Sequence, residues 1–121
     1  MIERHWSAAI TEGMLMNKDL KLITERLDAG FRRLPQVRYQ VQITDDPYDK
    51  TYNFFLNYQH RGQRLKSQPL HSIQQYQLTY LEQVVKGLRE HTKLSFEYVG
   101  FTGQRWPSSQ RLIQSRRLNN E

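Results

Sequence analysis

The change of hydrophobic period at Pro35 limits what this chain can fold into more than any other feature of the sequence. Before Pro35, apolar residues recur at intervals of three and four, which predicts an amphipathic helix over residues 18–29 with Gly30 just past its end. After Pro35, apolar and polar residues alternate, which predicts a strand over residues 36–43 with one buried face. The chain therefore combines helix and sheet within its first third.

The segment before this helix follows the helical period less well. Its apolar residues at roughly helical spacing are Trp6, Ile10, Met14 and Met16. They could line one face of a loose amphipathic helix, which Gly13 is expected to interrupt. We therefore start the first predicted helix only at residue 18.

A second alternating segment predicts another strand over residues 52–59. The intervening residues 45–50 are rich in Asp and contain Pro47, a composition typical of turns. These two strands are therefore expected to form an antiparallel hairpin. A weaker third strand is expected around Leu65, at the edge of the sheet and ended by Pro69.

The remaining elements are a helix and a strand. Ser72 is expected to cap a helix over residues 73–88, which has a broad apolar stripe, and a fourth strand is expected over residues 92–99. The resulting order α-β-β-β-α-β predicts an α+β fold. In this two-layer sandwich, two helices pack against an antiparallel sheet of three to four strands.

Length and composition indicate one domain with a small core. The chain has 121 residues, and only 37% of them are hydrophobic, below the ~45–50% apolar content of an average globular domain. Apolar residues become sparse after Gly103, so we divide the chain into a single α+β domain, residues 1–103, and a basic C-terminal arm, residues 104–121. The absence of Cys excludes disulfides and thiol catalysis.

The positive charge is concentrated in two blocks. The formal net charge is +6. The first block is Arg61, Arg64 and Lys66, in a stretch without any Asp or Glu. The second block lies in the arm and consists of Arg105, Arg111, Arg116 and Arg117. Basic clusters of this kind favour nucleic acid or an acidic protein surface as the partner.

The arm has too few apolar residues to form a core element by itself. We expect it to dock on a neighbouring subunit or a bound polymer, with Trp106 or the pair Leu112 and Ile113 as its apolar anchor. Residues 109–117 can also be interpreted as one short helix. Truncation after Gly103 is then expected to leave the melting temperature nearly unchanged.

No arrangement of residues predicts an enzyme, a metal site or a cofactor. The four histidines have unrelated spacings, and the glycines form neither a dinucleotide-binding nor a phosphate-binding loop. His60 and His71 could be imagined as the base and acid of a metal-independent ribonuclease, but nothing in their spacing requires it. The Asp residues of the hairpin turn are explained by turn chemistry.

The predicted hairpin also suggests a surface for unpaired bases. Phe55 points away from the apolar face of its strand and is flanked by Asn53, Asn57 and Gln59. Such a surface is similar in kind to the stacking platforms that hold single-stranded nucleic acid. The alternative is that Phe55 packs under another segment of the chain.

The order of elements from Asp19 to Leu88 resembles that of double-stranded-RNA-binding domains, but only in topology. In that family the second helix opens with a Lys-Lys-x-Ala-Lys cluster that grips phosphates. Here the corresponding residues are Ser72-Ile73-Gln74-Gln75-Tyr76-Gln77, which lack both Lys and Ala. The resemblance therefore implies no function.

We expect a small, basic, non-enzymatic accessory protein that binds nucleic acid through backbone phosphates. The alternative is a structural subunit of a homo-oligomeric or multiprotein assembly, such as a virus-tail or secretion-type ring, that uses the arm for subunit contacts. The apolar stretches are far shorter than the ~20 residues of a membrane-spanning helix. A soluble, cytoplasmic location is expected, or a virus particle if the chain is an assembly subunit.

Overall fold

A computed structural model describes the backbone of residues 2–114 and the side chains of residues 16–114. Its elements are α1 (Ile2–Gly30), β1 (Val37–Asp46), β2 (Thr51–His60), β3 (Lys66–Ile73), α2 (Leu78–His91) and β4 (Ser95–Val99). The order α-β-β-β-α-β and the α+β fold are as the sequence predicted.

The sheet has four strands in the order β3-β2-β1-β4. The predicted antiparallel hairpin is confirmed: β1 and β2 pair from Val37 opposite His60 to Asp46 opposite Thr51. β3 pairs antiparallel to β2, but β4 pairs parallel to β1. The prediction of an antiparallel sheet is therefore wrong for the pair of β1 and β4. β3 runs in the same direction as β1. The chain then crosses over through α2 and enters β4 in that same direction, so β4 is parallel to β1.

β3 continues through Pro69, where the sequence predicted its end. Pro69 lies on an edge strand, where a missing N–H costs no ladder hydrogen bond, next to a register shift between Phe54 and Phe55. Ile73 is consequently the last residue of β3 and fully buried, so α2 begins five residues later than predicted, at Leu78. Ser72 does not cap α2.

α1 is longer than predicted, since its backbone is helical from Ile2 and passes through Gly13 without a break. Its second half packs against α2 and β3. Gly87 of α2 lies at this helix contact, because a Cβ there would approach Cδ2 of Leu20 to 2.6 Å. Gly87 therefore leaves room for a side chain of α1.

The core lies between the two helices and one face of the sheet. Its largest fully buried side chains come from α1, all of the first three strands, α2 and the segment after β4: Ile23, Leu27, Val41, Ile43, Phe54, Leu56, Leu70, Ile73, Leu81, Val84, Leu88 and Phe101. Ile113 joins this cluster at 6% exposure, and Trp106 packs against it. The expectation that the segment from Gln104 onward is a tail and not a core element is therefore wrong for Ile113.

Candidate functional site

The topology gathers three connections at one end of the sheet. β1, β3 and β4 begin at this end and β2 finishes there, so residues 31–38, 59–66 and 92–95 are neighbours. We call these three segments the basic end. Their cationic residues are Arg32, Arg33, Arg38, Arg61, Arg64, Lys66 and Lys93. The first predicted block, Arg61, Arg64 and Lys66, thus lies within a larger group.

The cationic side chains of the basic end are exposed and have no anionic partner. The three segments contain no Asp or Glu, and all seven Arg and Lys residues are exposed. Among residues 16–114, the ion pairs are His71 with Asp19 and His91 with Asp28. Asp28 adjoins the basic end, and its carboxylate lies 2.9 Å from Nε2 of His91. The charges of the basic end are therefore available to an external anion.

Backbone contacts hold the basic end in place, although its Arg and Lys side chains form no ion pair with a described carboxylate. The N–H of Arg61 donates to the carbonyl of Gln36 at 2.9 Å, which ties the turn after β2 to the start of β1. The N–H of Arg32 donates to the hydroxyl of Tyr39 at 3.2 Å, and the ring of Tyr39 packs edge-on against Phe31 at 4.7 Å. The charges are thus presented from anchored segments.

Two cavities open at the basic end, and Val37 lines both. The first has a volume of about 460 Å³ and combines the rings of Phe31 and Tyr39 with Arg33 and Lys93. The second, of about 470 Å³, is lined by polar and cationic residues: Gln36, Arg38, Gln59, His60 and Arg61. Asp28 and His91 also line the first cavity, so it is the second cavity, which no carboxylate lines, that presents cations to an anionic group without an opposing charge.

The structure does not bring His60 and His71 together. His60 ends β2 at the basic end, whereas His71 pairs with Phe54, six residues earlier on β2. The Nε2 atom of His71 lies 2.7 Å from Asp19 on α1, and Tyr80 on α2 donates to the same carboxylate at 2.5 Å. Asp19 of α1 therefore connects to both β3 and α2.

The predicted arm is partly folded onto the domain. Gln104 donates to Asp45 at 2.8 Å, and both the N–H and the hydroxyl of Ser108 donate to Glu82 on α2. Trp106 packs edge-on against Tyr98 with ring centres 5.6 Å apart. These contacts place residues 104–114 against the end of β1 and against α2.

Arg105 and Arg111, the cationic residues of the arm that the structure describes, are therefore separate from the basic end. Arg105 and Arg111 are exposed on the segment beside α2, and the guanidinium of Arg105 donates to the carbonyl of Gln110 at 2.8 Å. Arg116 and Arg117 lie outside the described residues. A short bridge pairs Arg105 with Leu112 in antiparallel fashion, so the helix interpreted over residues 109–117 is wrong for the part up to residue 114.

The opposite end of the sheet has an aromatic and acidic cluster around Asp45. Tyr76 donates its hydroxyl hydrogen to Asp45 at 2.5 Å, and the ring of Tyr52 lies between Tyr76 and Phe101 at 4.9 and 5.9 Å. Burial, with the charge of Asp45, raises the pKa of Tyr52 to about 12. The hydrogen bond to Asp45 raises the pKa of Tyr76 to about 12. Both phenols are held in their neutral forms.

Sequence reasoning missed Arg32, Arg33, Arg38 and Lys93 as members of the site. A signal for Arg32, Arg33 and Arg38 was present in the sequence, because residues 29–44 contain no Asp or Glu. The stretch around Arg61 lacks Asp and Glu in the same way. Lys93 had no comparable signal, because it joins the group only through the pairing of β4 with β1.

Within residues 16–114, no group of three or more potential ligands is arranged to hold a metal ion. Among the helices described, none combines the length and apolar character that crossing a membrane demands. Comparison with protein-family models, with curated proteins and with solved structures found no match to this chain.

Proposed function

We propose that this chain is a small, non-enzymatic accessory protein that binds nucleic acid by contacting backbone phosphates with its basic end. The observation that carries the proposal is the group of seven exposed Arg and Lys residues on three neighbouring segments without a carboxylate. Lys and Arg side chains that neutralise phosphates release condensed counterions, and this release supplies most of the sequence-independent affinity for nucleic acid.

The electrostatics of the surroundings support an anionic polymer as the partner. A cluster of unpaired like charges destabilises a folded chain by self-repulsion. The presence of such a cluster without partners inside the protein therefore favours a binding partner outside it. The anchored backbone of the basic end lowers the cost of ordering these segments on binding. Arg105 and Arg111, with Arg116 and Arg117, are proposed as secondary contacts that extend the same binding.

A salt series tests this proposal. Affinity for a duplex and for a single strand is measured by fluorescence anisotropy at increasing salt concentration. If all seven side chains at the basic end neutralise phosphates, the logarithm of the affinity falls against the logarithm of salt with a slope of about −6 on duplex DNA. The triple variant R61A/R64A/K66A is expected to reduce that slope by about 3.

A matched control removes the same charge elsewhere. Lys18, Lys21 and Lys86 are exposed residues of the two helices, so the variant K18A/K21A/K86A loses three positive charges outside the basic end. Its salt slope is expected to stay close to that of the parent, and both triple variants should keep the parent's melting temperature. Equal losses in both variants, or a slope near zero in the parent, contradict the proposal.

The same protein preparation distinguishes a nucleic-acid-binding accessory protein from an assembly subunit. Light scattering during size-exclusion chromatography gives the mass of the chain in solution. A closed ring that binds neither duplex nor single strand at low salt would favour an assembly subunit. A monomer with salt-dependent binding supports the accessory protein.

A further inference from the structure

The two faces of the sheet differ in what covers them. Both helices contribute their buried side chains to one core, on the face that carries Val41, Ile43, Phe54 and Leu56. The other face carries the even-numbered residues of β1 and the odd-numbered residues of β2 and β4. We call it the open face, because no helix among the described residues contributes buried side chains to it.

On β1 and β2, the central part of the open face is polar but uncharged. On β1 it consists of Gln40, Gln42 and Thr44, and on β2 of Asn53, Phe55, Asn57 and Gln59. Charged residues make up 25% of the chain, so their absence from this patch is a local departure from the composition of the whole. Phe55, which is partly exposed, is the aromatic residue at its centre, directly opposite Gln42.

Hydrogen bonds between side chains fix the amides around Phe55. Asn57 donates to Gln42 at 2.7 Å and accepts from Ser67 at 2.6 Å. It is only 3% exposed although it lies on the open face. Asn53 accepts from Ser72 of β3 at 2.5 Å. The surface that surrounds the Phe55 ring is therefore ordered before any ligand arrives, which lowers the entropy lost on binding.

The open face is continuous with the basic end. Arg38 belongs to both, since it lies on β1 four residues before Gln42 and pairs with Gln59. Four residues of strand span about 13 Å. A polymer whose phosphates are held at the basic end can therefore lay its next units over Phe55.

We propose that the open face binds the bases of single-stranded nucleic acid, with Phe55 as the stacking surface and the amide atoms that are not engaged in the side-chain hydrogen bonds around Phe55 as hydrogen-bonding partners. This inference rests on the proposed function, because the basic end supplies the phosphate contacts. Unpaired bases have free π-faces and free edges that an aromatic ring and amides recognise, whereas duplex bases are stacked on each other. A second copy of the chain fits less well, since the centre of a subunit interface is mainly apolar.

Two carboxylates lie on the open face, Asp46 at the end of β1 and Glu97 on β4. Glu97 of β4 pairs with Gln42 and is separated from Phe55 by the width of one strand. Its charge opposes the approach of phosphates. The variant E97Q removes that charge and is therefore expected to tighten binding of single strands by about twofold at low salt.

The decisive experiment compares F55A with the parent on two probes. On an oligothymidylate of about 12 nucleotides, F55A is expected to lose about tenfold or more in affinity, because one base loses its stacking partner. On a duplex of the same length its affinity is expected to be unchanged. The control Y48A removes an aromatic residue that is 95% exposed in the turn between β1 and β2, and should bind both probes like the parent.

The outcomes separate this inference from the function on which it rests. If the parent binds duplex and single strand equally and F55A changes neither, the open face has no role and the proposed function still stands. If the parent binds neither probe, both the inference about the open face and the proposed function are wrong. Should F55A fold poorly, as judged by circular dichroism, F55L keeps apolar volume without an aromatic face, and an unchanged affinity for the single strand in F55L overturns the inference.

Discussion

The two ends of the sheet use their charged residues in opposite ways. At the end formed by the turn between β1 and β2, Asp45 accepts from Tyr76 and Gln104, and Asp46 accepts from two backbone N–H groups of the turn. At the basic end, no Arg or Lys side chain makes an ion pair with a described carboxylate. Charges that are engaged in hydrogen bonds stabilise the fold, whereas exposed and unpartnered charges are available for binding.

The largest expected effect comes from removing the segment that packs beside Asp45, at the end of the sheet opposite the basic end. Truncation after Gly103 deletes Ile113 from the core and the Gln104 side chain that donates to Asp45. We expect it to lower the free energy of unfolding by about 3 kcal/mol or more. Urea denaturation of the two proteins measures this difference.

A pair of point variants makes the same test without deleting the segment. I113A should reproduce much of the loss, because Ile113 is 6% exposed, whereas L112A should have little effect, because Leu112 is 42% exposed. If the truncated chain kept its melting temperature, residues 104–121 would be the separate arm that the sequence predicts. The contacts of this segment with Asp45 would then not stabilise the fold, which would contradict the difference drawn between the two ends of the sheet.

A smaller loss of stability is expected from D45A. This variant leaves the hydroxyl of Tyr76 and the amide of Gln104 without their shared acceptor, at a cost of about 2 kcal/mol. Thermal unfolding followed by circular dichroism at neutral pH measures the change. D49A is the matched control, since Asp49 is an exposed residue of the same turn, and equal destabilisation by both variants would show that the contacts of Asp45 are not the cause.

Stability is also expected to depend on alkaline pH. The pKa values of Tyr52 and Tyr76 rise from 10.0 to about 12 in the folded chain. The folded state therefore keeps phenolic protons that the unfolded chain releases above pH 10, so this stabilisation is complete below pH 10 and is lost as the pH rises towards 12.

Thermal unfolding between pH 9 and 12 tests this linkage. The melting temperature of the parent should fall across the range, and Y76F should fall less steeply because it cannot ionise at that position. Y48F removes an exposed phenol and should follow the parent. Identical slopes for Y76F and the parent would mean that Tyr76 ionises alike in the folded and unfolded chains.

Features that depend on neighbouring residues were predictable from the sequence. The hairpin of β1 and β2 follows from alternation on both sides of a turn rich in Asp, and its pairing is in the expected direction. The amphipathic second half of α1 follows in the same way from its helical period. Both patterns record which side of a local element meets the core, and this information lies within a few residues of sequence.

Features that depend on distant pairings were not predictable in this way. Ser72 and Ile73 fit the start of a helix by local rules, but pairing with β2 places them in β3, where Ile73 is fully buried. Ile113 has few apolar neighbours in sequence, and it belongs to the core only because the turn after β4 brings its segment back to the sheet. Tertiary burial outweighs local propensity at both positions.

The sequence by itself determined the order of elements, the α+β class and the position of the first basic block at Arg61, Arg64 and Lys66. Only the tertiary structure decided that β4 runs parallel to β1 and that Arg32, Arg33, Arg38 and Lys93 join that block. Periodicity and composition act along the chain, where each residue reports its own burial or charge. The gathering of charges at one end of a sheet depends instead on strand order and direction, which are set by pairings between segments far apart in sequence.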